Sequence, residues 1–225
     1  MNTAQSAEVP LWVQDRDIVI SNDEGVEWRY LGRPDYSRTN ESLRKESQYQ
    51  HIEGSLEAIV QNLVRTFEME ASFKTNPQQW VSVVAEKFRM KTNSGPAYTA
   101  DEVVDRGTYN LFLGESQHYS AKAESFESSA QTFLEAFPNG FLWELIEVLS
   151  GPPNVTFKWR HWGTFTGSYK DHAPTGERVE IVGMSIARVT EDLKIVSLEH
   201  FFDTSSFLGK LASGCPFHSQ KSESV

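Results

Sequence analysis

The hydrophobic period of the chain changes to two at residue 141, and this change restricts the possible folds more than any other feature. Four segments from there alternate apolar and polar residues over lengths typical of strands, at residues 141–149, 155–166, 179–189 and 194–202. The connectors between them are short and rich in turn-forming residues. Consecutive long strands with such connectors pair as neighbours, so the sequence predicts an antiparallel meander.

Helices precede this sheet. Apolar side chains recur every three or four residues over residues 55–73, which is typical of a long amphipathic helix with Ser55 at its N-cap. The other predicted elements are a short helix, a strand and two further helices, at residues 77–87, 87–93, 99–113 and 126–137. Helices followed by a meander predict an α+β fold whose sheet wraps around the long helix.

A length of 225 residues fits one domain. The first 50 residues are polar with little periodicity, and we interpret residues 1–50 as an irregular extension, or strap, over the domain. The domain itself is expected at residues 51–212. Residues 213–225 form a polar tail.

Charge and composition exclude several classes of function. The net charge is −10 and the 21 basic residues are scattered, which argues against nucleic-acid binding. No apolar run approaches the ~18 residues of a membrane span, and no secretory signal is recognisable. The single cysteine, Cys215, permits no intrachain disulfide. We therefore expect a cytoplasmic protein without a membrane partner.

No motif for a cofactor or metal is apparent. The glycine-containing segments lack the spacing of phosphate-binding loops, and no His or Cys pair has zinc-ligand spacing. The 27 aromatic residues (6 Trp, 14 Phe and 7 Tyr) instead suit a large core or an aromatic-lined cavity. We expect no cofactor and no metal.

The motif FKWRHWG lies in the second strand of the predicted meander. Alternation places Trp159 and His161 on one face and Arg160 on the other. Arg160 is expected to pair with a cross-strand acid, Glu144 or Glu180. His161 is either a hydrogen-bonded structural residue or a group that faces a cavity.

Further candidate groups lie outside this motif. Glu199 and Asp203 share one face of the last strand, and the opposite face is predicted to be ordinary core, with Val196, Leu198, His200 and Phe202. With His161 and Tyr109, the two acids would supply a base, an acid and a phenol around an aromatic cavity. The alternatives are structural: Asp203 as a helix N-cap, Tyr109 as core and Arg38 as a surface residue.

Several long motifs are similar to those of the plant pathogen-related protein family, a branch of the SnoaL-like polyketide cyclases in the NTF2-like superfamily. The resemblance spans roughly residues 28–217 and includes VQNLVRTFEMEASFKTNPQ, GTYNLFL, AFPNGFLWELIEVLSGPPNVTFKWRHWG, HAPTGERVEIVGMSI and KIVSLEHFFD. It implies a cone-shaped α+β fold, in which a strongly bent antiparallel sheet surrounds the long helix and leaves a pocket open at one end. It also implies homodimers formed through the sheet.

The resemblance further implies that an acid just before the C-terminal helix acts as acid and base, and Asp203 matches that position. We expect a cofactor-independent cyclase or isomerase for a hydrophobic, oxygenated small metabolite of secondary metabolism. His161, Asp203 or Glu199, and Tyr109 would transfer protons, and Arg38 would close over the mouth and steady an oxyanion. The alternatives are a non-catalytic binding protein of the same fold and a protein-interaction module.

Overall fold

The computed structural model describes residues 9–30 and 32–216. The predicted tail at residues 213–225 and the first eight residues of the predicted strap therefore lie mostly outside the described residues. The helices are α1 (Arg16–Asn22), α2 (Ser37–Glu46), α3 (Leu56–Phe73), α4 (Ala100–Arg106), α5 (Thr108–Leu113), α6 (Phe126–Ala136) and α7 (Thr204–Leu211). The strands are β1 (Arg89–Thr92), β2 (Leu142–Ser150), β3 (Asn154–Thr164), β4 (Arg178–Val189) and β5 (Ile195–Phe201).

The long helix α3 forms where its periodicity predicts it. The Ser55 hydroxyl accepts a hydrogen bond from the backbone N–H of Ala58 and so caps the first turn. The apolar stripe of the helix is buried against the sheet, with Val60, Leu63 and Phe67 each less than 5% exposed. The burial of this stripe supplies most of the stability of the helix, because propensity alone contributes little.

The five strands form one sheet in the order β1-β5-β4-β3-β2. The predicted meander β2 to β5 is antiparallel throughout, as expected. However, β1 pairs with β5 in parallel, with Arg89 opposite Ser197, so the sheet is mixed and the prediction of a purely antiparallel sheet is wrong in this detail. About a hundred residues separate these two strands, and local periodicity carries no information on such a pairing.

The first 50 residues are more regular than predicted. They contain the two helices α1 and α2, and Asp15 caps α1 by accepting from the N–H of Asp17. Helix α2 lies over β2 and β3, where Leu43 packs on Trp162. The expected irregularity was wrong because α1 has only seven residues, too few to establish a clear period, and α2 is polar with Leu43 as its one buried residue.

One predicted helix is divided in two. The capping box of Thr99 and Glu102 starts α4 as predicted, but the helix ends at Gly107, whose φ is 83°. A Cβ atom at this position would also approach Phe126 to 3.0 Å. The break turns the chain into α5 and brings Tyr109 to the inner side of the sheet.

The outer side of the sheet carries Arg160. Its Nε donates to Glu144 and its Nη1 lies 2.9 Å from Oε2 of Glu180, which confirms the predicted cross-strand pairs. Its Nη2 donates to the backbone oxygen of Glu46 at the end of α2. Arg160 therefore links β3 to β2, β4 and α2, and its role is structural.

The outer face of β4 exposes apolar side chains. Val182 is 55% exposed and Ile186 is 38% exposed. Such a face is compatible with the predicted homodimer, which stays a prediction. No helix in the described part of the chain is both long and apolar enough to cross a membrane.

Candidate active site

A partly open cavity of about 270 Å³ lies between α3 and the inner face of the sheet, with α5 and α7 at its sides. Aromatic rings form much of its wall, including Phe67, Phe112, Phe141, Trp159, Phe202 and Phe207. A wider groove of about 760 Å³ adjoins it across Tyr109 and Phe141, on the side of α6. The smaller cavity gathers two histidines, a glutamate and two arginines in apolar surroundings, which is typical of a small-molecule site.

The cavity contains two of the predicted site residues. His161 extends from β3 and stacks on Phe141, with ring centroids 5.0 Å apart. Burial lowers the pKa of His161 to about 3, so its imidazole is neutral at physiological pH. Tyr109 stacks on Phe133, and burial raises its pKa to about 12, so it stays a phenol. The placement of both residues agrees with an aromatic hollow, and their chemical roles stay predictions.

The structure places the other three predicted residues away from the cavity. Asp203 is exposed and caps α7, because its carboxylate accepts from the N–H of Ser206 at 2.8 Å. Glu199 accepts from the backbone N–H of Ser94 on the opposite face of β5. Arg38 is exposed and donates to Asn139 at 2.7 Å. Asp203 and Glu199 therefore do not line the cavity, and Arg38, which was expected to close over its mouth, contacts Asn139 instead.

Glu199 lies away from the cavity because the two faces of β5 are the reverse of the prediction. The side that we predicted to be ordinary core faces the cavity and contributes His200 and Phe202. Alternation correctly separates Glu199 from His200, but it does not tell which side of a strand is hollow. For Asp203, the free amides at the start of α7 determine the orientation of the carboxylate.

Glu68 on α3 is the principal site residue that sequence reasoning missed. Its Oε1 lies 3.9 Å from Nε2 of His161. About 35% of its side chain remains accessible, and this surface belongs to the cavity wall. Burial raises the pKa of Glu68 to about 7, although Arg16 and Arg65 act in the opposite direction. The sequence contained a signal, since Glu68 follows Val64 by four residues on a buried helical stripe.

A hydrogen-bond chain connects Trp159, Ser185 and His200. The indole N–H of Trp159 donates to Oγ of Ser185 at 2.7 Å, and this Oγ lies 2.8 Å from Nδ1 of His200. A hydroxyl has one hydrogen and two acceptor lone pairs, so Oγ can accept from both neighbours or donate to Nδ1, and only in the second case does the histidine proton reside on Nε2. Burial lowers the pKa of His200 to about 4, which keeps the imidazole uncharged at neutral pH.

Three side chains of the cavity hold a buried nitrogen that lacks a hydrogen-bond partner among the described residues. These atoms are Nε2 of His200, Nδ1 of His161 and Nε of Arg16. Buried polar atoms are nearly always hydrogen-bonded, so these three atoms are exceptions, and they belong to side chains that line the cavity. In the described part of the chain, no group of three or more His, Cys, Asp and Glu side chains is arranged to hold a metal.

Comparison with known proteins agrees with this architecture. Residues 82–211 match the family model of the SnoaL-like polyketide cyclases. The chain is 38% identical over 205 residues to the pathogen-related protein of Hordeum vulgare, which covers 84% of this chain and 87% of the barley protein.

Solved structures are similar at much lower identity. A protein from Jannaschia sp. CCS1, described as a SnoaL-like polyketide cyclase, is 14% identical and covers 74% of this chain and 100% of its own, with a TM-score of 0.39. An NTF2-like protein from Burkholderia thailandensis E264 is 18% identical and covers 67% and 94%, with a TM-score of 0.39. The family model and the barley relative together show that this chain belongs to the SnoaL-like polyketide cyclase family and has its α+β, NTF2-like fold.

Proposed function

We propose that the cavity catalyses a cofactor-independent proton transfer of the cyclase or isomerase type on a hydrophobic, oxygenated small molecule. The observation that carries this proposal is the position of Glu68, whose carboxyl group lies on the wall of an aromatic cavity 3.9 Å from Nε2 of His161, where burial raises its pKa to about 7. A carboxylate with this pKa is a much stronger base than an ordinary glutamate and is still ionised in half of the molecules at neutral pH. Membership of the SnoaL-like family supports the same class of reaction.

Glu68 is the general base in this proposal. Its carboxylate removes a proton from a carbon next to a carbonyl group of the substrate, and the electron pair of the broken C–H bond moves into an enolate. Return of the proton to a different carbon completes an isomerisation. Attack of the enolate carbon on a second carbonyl of the same molecule, which then takes the proton on its oxygen, completes a cyclisation. Atoms and electrons balance in both reactions, so neither reaction needs an oxidant or a reductant.

The neutral histidines stabilise the enolate oxygen. In this proposal the Ser185 hydroxyl donates to Nδ1 and His200 carries its proton on Nε2, and an N–H donor of this kind is worth about 10²–10³-fold in rate when it meets a developing oxyanion. Because the pKa of His200 is lowered to about 4, its imidazole is not protonated to the cation at neutral pH and stays a neutral hydrogen-bond donor. His161 lies beside Glu68 and helps to position its carboxylate in this proposal. Tyr109 stays an uncharged phenol and is a second hydrogen-bond donor.

The substrate class follows from the cavity wall. The ten Phe, Tyr and Trp rings of its wall and a volume of about 270 Å³ suit a flat ring system with a carbonyl group. In this proposal Glu68 takes the acid–base role that the family resemblance assigned to Asp203, whose carboxylate is already engaged at the start of α7.

Deuterium exchange into 2-tetralone in D₂O, followed by NMR, tests the proposal. This aromatic ketone has acidic α-hydrogens and its size suits the cavity. We expect the protein to accelerate exchange saturably, because a positioned base contributes about 10²–10⁴-fold. Excess 2-naphthol, a non-exchanging aromatic of similar shape, should suppress the acceleration by occupying the cavity. Saturable binding of 2-tetralone without faster exchange would contradict catalysis and favour the non-catalytic binding protein.

A further inference from the structure

We infer that Arg16 and Arg65 form a carboxylate-binding subsite at one end of the cavity, so that the natural ligand is a hydrophobic carboxylic acid. This inference rests on the proposed function for its site but not for its chemistry. It concerns two arginines that take no part in the proton transfer described above. Both side chains line the cavity, from α1 and from α3.

Arg16 is held in place with part of its hydrogen-bonding capacity unused. The residue is only 7% exposed, and its guanidinium carbon lies 3.3 Å from the ring centroid of Tyr36. Its Nη2 donates to Oδ1 of Asn40 at 3.3 Å, whereas its buried Nε has no partner among the described residues. The stacked ring fixes the plane of the guanidinium, and a fixed plane is what bidentate recognition of a carboxylate requires.

Arg65 supplies a second positive charge. Its Nη2 donates to the backbone oxygen of Trp143 at 3.3 Å, which orients the side chain along the cavity wall. Burial lowers the pKa of Arg65 to about 10, and the positive charge of Arg16 acts in the same direction. The group is therefore still protonated at neutral pH, and the two guanidinium groups are close enough for their charges to repel.

Within residues 9–30 and 32–216, no carboxylate forms an ion pair with either arginine. The nearby acids Asp15 and Asp17 are exposed at the start of α1, where water screens their charge. Glu68 is electrostatically coupled to both arginines, but its single charge does not balance two, and the buried Glu144, which is also coupled to Arg65, already pairs with Arg160. A ligand carboxylate would offset this excess charge, which is costly to keep in an apolar cavity.

A carboxylate fits this subsite better than a neutral oxygen. Arg16 is buried and Arg65 partly buried, and their two guanidinium groups exceed what a single carbonyl needs, whereas each matches the two oxygens of a carboxylate. The aromatic wall would then hold the ring system of the ligand and leave its reactive carbon to Glu68 and His200. The subsite would therefore bind a carboxylic acid more tightly than a neutral molecule with the same ring system.

Calorimetric titration with 2-naphthoate and with 2-naphthamide tests the inference. The two probes share a ring system and differ in the charge of the carbonyl substituent. We expect 2-naphthoate to bind at least about tenfold more tightly at neutral pH, because a hydrogen bond to a charged partner contributes that much or more. Equal affinities for the two probes would overturn the inference.

Variants of the arginines sharpen the test. Arg16→Met and Arg65→Met should each weaken 2-naphthoate binding by about 10–100-fold and change 2-naphthamide binding by less than about threefold. Arg16→Lys keeps the charge and should retain part of the preference. Arg38→Met, which removes an exposed arginine outside the cavity, is the matched control and should change neither affinity. If both methionine variants kept the full preference for 2-naphthoate, the inference would be wrong.

The two proposals fail separately. Glu68→Gln removes the proposed base and should keep the preference for 2-naphthoate, since both arginines remain. If the wild type does not accelerate exchange of 2-tetralone but prefers 2-naphthoate to 2-naphthamide, only the proposed function is wrong. If the wild type accelerates exchange of 2-tetralone but binds 2-naphthoate and 2-naphthamide equally, only the carboxylate subsite is wrong.

Discussion

Glu68→Gln is expected to slow the protein-dependent exchange of 2-tetralone by about 10²–10⁴-fold, the usual contribution of a positioned general base. Glutamine has nearly the same shape as glutamate and can still contact His161, but it does not accept a proton from carbon. In the wild type, exchange should rise with pH through about 7 and then level off, because the base is the ionised form of Glu68. The residual rate of the variant should lack this step.

The variant should also fold. Burial raises the pKa of Glu68, so the folded state favours the protonated carboxyl, and the ionised group opposes folding above that pKa. An uncharged glutamine should therefore be at least as stable as the wild type above neutral pH, which thermal unfolding would verify. Glu86→Gln, at an exposed glutamate, is the matched control and should exchange at the wild-type rate. Wild-type exchange by Glu68→Gln would show that the base lies elsewhere.

Lys74→Met is expected to lower the free energy of unfolding by about 3–5 kcal/mol, as is usual when one partner of a buried ionic cluster is removed. The ammonium group of Lys74 lies 2.9 Å from Glu70 and 2.7 Å from Asp23, and it donates to the backbone oxygen of Gln79. Lys74 and Glu70 are fully buried and Asp23 is 7% exposed. Without the lysine, two acids would be left in the interior without their cation.

Urea denaturation measures this effect. Lys45→Met is the matched control, because Lys45 pairs with Glu41 on the exposed surface of α2 and its loss should leave the transition midpoint essentially unchanged. The cluster joins the segment after α1 to the end of α3, so we expect the variant to lose stability throughout the fold. A midpoint for Lys74→Met equal to that of the control would contradict a structural role for the cluster.

Elements with a strong local signal could be predicted from the sequence. The long helix α3, the capping box of α4 and the four meander strands follow from periodicity and cap chemistry. The parallel pairing of β1 with β5 could not, because its partners are far apart in sequence. Helices α1 and α2 are too short or too polar for their periodicity to stand out.

The candidate site was predictable only in part. His161 and Tyr109 combine an ionisable group with aromatic surroundings, and the structure places both in the cavity. Glu199 and Asp203 stood out as acids, yet the register of β5 and the cap of α7 direct them elsewhere. Glu68 looked like an ordinary helical glutamate, since only tertiary packing turns that side of α3 toward a hollow.

Arg16 was concealed for a related reason. It lies in a segment that composition made look irregular, and its burial depends on the contact of α1 with the ring of Tyr36. Charge patterns in the sequence indicate which residues are ionisable but not which of them the fold removes from water. The positive end of the cavity is therefore a property of the assembled fold.

The pKa of Glu68 tests the central claim most directly. It can be read from the ¹³C shift of the side-chain carboxyl in protein labelled at glutamate, with the resonance assigned by its loss in Glu68→Gln. We expect this resonance to titrate with a midpoint near pH 7. A midpoint at about 4.5, the ordinary value of glutamate, would mean that the cavity holds no base suited to proton transfer at neutral pH, and the proposed chemistry would be wrong.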